Sequence, residues 1–72
     1  MNSFKEVLKG LRIEHDLTQK EIANIIDVSE RTYSRYETGD REPRIDTLIK
    51  IAEYYKIPID LLVGRYTEIR RS

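Results

Sequence analysis

The chain has 72 residues, thirteen basic and thirteen acidic, no cysteine and a formal net charge of zero. A chain this short cannot divide its apolar residues between two cores, so no second, effector-binding domain is expected within these 72 residues and one domain is expected over 1–66, with a tail at 67–72. The missing cysteines exclude a disulfide framework and a thiolate metal site, and the balanced charge excludes a blanket attraction to phosphate or anionic lipid.

No apolar run approaches the roughly 18 residues of a membrane span, and "MNSFKEVLKGL" is spaced like an amphipathic helix, not like the apolar block of a signal peptide. Met1 therefore reads as a true start, and a cytoplasmic protein is expected. A domain of this size buries only about 60% of the surface its unfolded chain exposes. Every large apolar residue is then expected in the core.

Within residues 3–15, Phe4, Val7, Leu8 and Leu11 step by three, one and three, which predicts a helix burying one stripe. Gly10 falls off that stripe. "TQKEIANII" opens with Thr18 and places Glu21 three residues later, a capping box, so a second helix is expected to start at Thr18 and to bury Ile22, Ala23 and Ile26. Ser29 is a suitable N-cap for a third helix carrying Tyr33 and Tyr36 on one face, with Gly39 as its left-handed stop. "GDREPR" must turn at Pro43. From Ile45, Leu48, Ile51, Ala52 and Tyr55 recur at helical spacing, with Asp46 and Lys50 expected to pair on the outside. "IPIDLLVG" reads as a fifth, short helix between Pro58 and Gly64. The expected fold is all-α, a compact five-helix bundle.

Two short helices joined by about three residues, with small Ala23 in the first so that the second can cross it closely, have the geometry of a helix-turn-helix over about 18–38. The stretch "LRIEHDLTQKEIANIIDVSERTYSRYETGDREP" resembles the lambda-repressor-like, Cro/XRE-type helix-turn-helix family. Its usual wording runs Leu-Arg, Leu-Thr-Gln, Leu-Ala, Gly-Val-Ser, Glu-x-Gly and then Pro. The likeness continues through "LIKIAEYYKIPIDLLVG" and so covers about 4–64.

The resemblance implies a DNA-binding transcriptional regulator, of the repressor kind, acting as a homodimer on a two-fold operator in double-stranded DNA. It places the third helix in the major groove with Ser29, Glu30, Arg31, Thr32 and Arg35 facing it. Of these Glu30, Arg31, Thr32 and Arg35 are the candidate base readers. Gln19, with Thr18 beside it at the start of the second helix, then Ser29, Arg41 and Arg44 are the candidate phosphate contacts. Arg12 and Glu37 stand where the family has a structural salt bridge, and Asp27 where it prefers a left-handed glycine. Tyr33 and Tyr36 fall on its buried positions, with hydroxyls that could still reach a phosphate.

Side-chain chemistry agrees with these assignments. Arg31 and Arg35 lie four apart on one helical face, where each can present its fork to guanine O6 and N7, and Glu30 can accept from cytosine N4. Catalysis is not expected: there is one histidine, no cysteine and no glycine-rich phosphate loop. His15 has no metal-ligand spacing around it and is expected at the surface, so no metal, cofactor or small-molecule substrate is implied. The competing reading is a protein-interaction module of the same fold, an antitoxin or a heterodimerising antagonist. Zero net charge favours it, because residues 28–44 carry four basic and four acidic side chains. For the homodimer, Leu62, Tyr66 and Ile69 are the expected contact residues.

Overall fold

The computed structural model describes residues 4–59 and 62. It has four helices among these, α1 (Phe4–Glu14), α2 (Gln19–Ile25), α3 (Glu30–Thr38) and α4 (Ile45–Tyr55), with α1 and α2 both packed on α3. The expected fifth helix is represented by one helical bond, from the Leu62 N–H to the Pro58 carbonyl at 3.4 Å. Its remainder, and the tail at 67–72, lie outside the described residues.

Helix starts follow local chemistry. Thr18 accepts from the Glu21 N–H at 3.1 Å while the Glu21 carboxylate accepts from the Thr18 N–H at 2.8 Å, the reciprocal capping box. Ser29 accepts from the Thr32 N–H at 3.0 Å and so opens α3. Asp46 does not pair with Lys50; its carboxylate accepts the Thr47 N–H at 3.0 Å in the first turn of α4, where an unsatisfied donor and the helix dipole both favour it.

Helix ends obey one rule with different residues. After α1, α2 and α4 the chain enters the left-handed region at Asp16, Asp27 and Lys56, with φ of 55°, 62° and 57°. In each case the following N–H reaches back five residues: Leu17 to Arg12 at 3.0 Å, Val28 to Ala23 at 2.9 Å, Ile57 to Ala52 at 3.1 Å. Leu17, Val28 and Ile57 then pack against the core, which completes a Schellman ending and offsets the left-handed cost at a residue with a Cβ. Among the four described helices only α3 ends on glycine, Gly39 at φ 86°. There a Cβ would lie 3.3 Å from the Lys5 side chain, so space and backbone both favour its absence.

The core joins Phe4 and Leu8 of α1, Ile22, Ala23 and Ile26 around α2, Tyr33 and Tyr36 of α3, Leu48, Ile51, Ala52 and Tyr55 of α4, and Leu62. Ala23 is buried where α2 meets α3, as a close crossing requires. Two expectations fail here. Ile13, Ile25, Ile45, Ile49 and Tyr54 are exposed, Ile45 by 63%, because a bundle this small has too few polar side chains to cover its surface. Leu62 is 1% exposed and belongs to the core, so it cannot be a dimer contact in this conformation; Tyr66 and Ile69 lie outside the described residues.

His15 is exposed, as expected, but its ring rests on Tyr55 at 4.8 Å between centroids and its Nδ1 is 2.9 Å from the Leu11 carbonyl. Among the described residues no cluster of side chains could hold a metal ion, and no helix is long and apolar enough to cross a membrane.

Candidate nucleic-acid interface

The helix-turn-helix spans 19–38, and its two halves are bound together by one carboxylate. Glu37, near the end of α3, receives Arg12 Nε at 2.7 Å and the Tyr33 hydroxyl at 2.6 Å on Oε2, and a second Arg12 nitrogen and Gln19 Nε2, each at 3.2 Å, on Oε1. A carboxylate offers about four lone-pair positions, and here four donors meet them. The third nitrogen of the Arg12 guanidinium donates to the Leu17 carbonyl at 3.0 Å. Residues of α1, α2, α3 and the loop at 17 are thus tied to a single group. The expected Arg12–Glu37 bridge is present and bidentate, with side-chain exposures of 15% and 5%.

Burial pushes the Glu37 carboxyl upward, but hydrogen bonds from Arg12, Tyr33 and Gln19 and the Arg12 charge outweigh it and hold the group below its ordinary value. The bond to Glu37 raises Arg12 against the opposing effect of burial. Tyr33 is pushed far up, first by burial and then by its bond to the carboxylate. Its ring is fully buried and its hydroxyl donates to Glu37, so the expected reach toward a phosphate is not available to it. Its part in this cluster was legible in one signal, the i, i+4 spacing of Tyr33 and Glu37 on a helix.

The opposite side of α3 differs. Glu30, Arg31 and Arg35 are exposed, and neither arginine's guanidinium makes a hydrogen bond or ion pair with a described residue. Thr32 is half-buried; its hydroxyl oxygen accepts from the Ser29 hydroxyl at 2.9 Å, which leaves the Thr32 hydroxyl proton as the free donor of the pair. The Ser29 oxygen is occupied by the cap of α3, and the Thr18 oxygen by the cap of α2. Gln19 is half-buried at the first position of α2, with one amide hydrogen directed to Glu37.

Beyond Gly39 the chain is pinned by the Arg41 N–H on the Arg35 carbonyl at 3.3 Å and by buried Pro43. Arg41 and Arg44, on either side of that proline, are exposed. Arg44 precedes α4 in extended conformation without using its side chain as a cap.

A compact bundle whose second and third helices form this unit is a helix-turn-helix domain. The helix-turn-helix family model matches residues 8–62, and the chain belongs to this family of Cro/XRE-type transcriptional regulators, whose members are not typically enzymes. The cryptic phage CTXphi transcriptional repressor RstR of Vibrio cholerae is 43% identical over 61 residues, 85% of this chain and 55% of that protein. The transcriptional repressor RghR of Bacillus subtilis is 42% identical over 64 residues, covering 88% of this chain and 47% of its own length. A crystal structure of a transcriptional regulator from Listeria innocua matches with a TM-score of 0.79 at 41% identity, covering 85% of this chain and 57% of that one. The chain therefore spans about half the length of the relatives it matches.

Proposed function

We propose that this chain is the DNA-binding part of a transcriptional repressor that grips a two-fold operator as a homodimer, with α3 in the major groove. One observation carries the reading: the Arg31 and Arg35 side chains stand exposed on α3 without a partner among the described residues, while the inward side of that helix is buried or bonded at Tyr33, Tyr36 and Glu37. Arg31 and Arg35 read guanine, Glu30 accepts from cytosine, and Thr32 offers its hydroxyl to a neighbouring base. Thr18, Gln19, Ser29, Arg41 and Arg44 seat the domain on phosphate, Gln19 at the positive end of α2. Two copies would set their α3 helices about 34–36 Å apart on one face of the duplex.

Zero net charge makes the non-specific electrostatic attraction small. Selection from a random duplex pool is expected to enrich a palindrome containing G·C pairs, and affinity is expected to fall only shallowly with salt. Failure to enrich any motif, together with tight association to another protein, would replace this reading with that of a protein-interaction module.

A further inference from the structure

Glu37 connects two functions that lie on different helices. Its Oε1 accepts from Gln19 Nε2 at 3.2 Å, and its Oε2 accepts from the Tyr33 hydroxyl at 2.6 Å. A glutamine amide is symmetric enough in shape to sit either way round, so what faces it decides whether it offers N–H or C=O outward. A carboxylate fixes that choice: the flipped amide would place its carbonyl oxygen against a negative oxygen and lose a charge-assisted bond. Arg12 clamps the carboxylate plane from one side, and the Tyr33 phenol occupies the remaining position on Oε2. Nothing in packing requires an oxygen on the Tyr33 ring, which is fully buried and meets Tyr36 edge-on at 6.2 Å. The hydroxyl donates to Glu37, the same group that holds Gln19.

We propose that Tyr33 is a positioning residue for DNA backbone binding, acting through Glu37 to keep the Gln19 amide in the orientation that directs an N–H toward a phosphate. The proposal rests on the DNA-binding reading above. Without the phenol the carboxylate regains freedom to rotate or to admit water on Oε2, and the Gln19 amide loses its fixed acceptor. The anchor at the start of α2 and the reading helix α3 are then no longer locked in register. Because the contact served is to backbone, its loss weakens binding to every sequence alike and leaves discrimination between sequences intact.

The test is Tyr33→Phe, which keeps the ring, read in two ways. In the free protein, the side-chain amide signals of Gln19 in a nitrogen-15 spectrum are expected to move toward the solvent-exposed glutamine position and to exchange about fivefold faster, the equivalent of one hydrogen bond. On DNA, Tyr33→Phe is expected to weaken binding to the selected duplex and to a random duplex by the same factor of about five, and to have no effect in a Gln19→Ala background. A purely structural role for the phenol predicts the same loss with or without Gln19, and that result overturns the proposal. Unmoved Gln19 signals in Tyr33→Phe overturn it as well. If the parent protein selects no duplex, the DNA-binding reading falls, and the Gln19 signals in the free protein still decide the positioning.

Discussion

Glu30 and Glu37 are two glutamates on one helix, seven residues apart, and they live in different solvents. Glu37 has a side chain only 5% exposed and is met by four donors; Glu30 stands exposed in the first turn of α3. A carboxylate in the first helical turn is stabilised by the helix dipole wherever it points, so Glu30 contributes to the helix regardless of any ligand. A carboxylate near the helix end opposes that dipole and needs compensation, which Arg12, Tyr33 and Gln19 provide. The same side chain is thus buried and fully bonded at one end of α3 and exposed at the other, and its partners make the difference.

The strongest way to break this contrast is to remove one partner of the buried pair. Glu37→Ala or Arg12→Ala should each cost about 3 kcal/mol in denaturant unfolding, because each leaves a poorly solvated charge unpaired. Replacing both with apolar residues should cost less than the two single changes summed, and a double-mutant cycle with no coupling would remove Glu37 from the centre of the fold. Glu30→Ala, by contrast, should stay within about 0.5 kcal/mol of the parent in stability.

Proton linkage gives a second test of the same cluster. Glu37 is held below its unfolded value, so its contribution is present above the ordinary carboxylate range, about 4.3, and is lost as pH falls through the lowered folded value. Tyr33 and Tyr55 are displaced the other way; burial is the first cause for both, and Tyr55 is pushed up to about 12. Their contribution is complete below the unfolded tyrosine value near 10 and declines as pH rises above it, for Tyr55 between about 10 and about 12. Thermal melts across pH should therefore decline on both flanks, and Tyr33→Phe should flatten the alkaline one.

On the outer side the expected effects fall on DNA instead of stability. Arg31→Ala and Arg35→Ala should each weaken the selected duplex by about 1–3 kcal/mol and a random duplex by much less, measured by competitive binding. Equal losses on both duplexes would reassign the two arginines to the backbone. A small effect of the opposite sign belongs to a residue on neither side of the contrast. Gly10 is exposed in α1 with open space where a Cβ would stand, so Gly10→Ala should stabilise the fold by about 0.5–1 kcal/mol and leave DNA binding unchanged.

The local sequence was enough to place the starts of α2 and α3, because Thr18 with Glu21 and Ser29 with Thr32 are short-range hydrogen-bonding pairs that need no distant partner. Helical spacing likewise placed the buried stripes of α1 and α4. Asp27 was legible as a left-handed residue only through the family resemblance, and Asp16 and Lys56 were not legible at all. Their conformation is held by Leu17 and Ile57 docking on a core contributed by other helices, and no glycine marks the spot. Which apolar residues remain wet was equally hidden: Ile45 and Ile51 are the same residue type on one helix, separated only by what the rest of the bundle can cover.

By itself, then, the chain of residue types determined where helices begin and which stripe each buries, since these depend on neighbours within about four positions. The tertiary structure alone decided that Tyr33 gives its hydroxyl to Glu37 and that Gln19 is held by the same carboxylate. It also decided that Leu62 belongs to the core and not to a surface. The physical reason is range. A cap or a periodic stripe is closed within one or two turns, whereas a saturated carboxylate draws its donors from residues as many as 25 positions away and exists only once three helices have met.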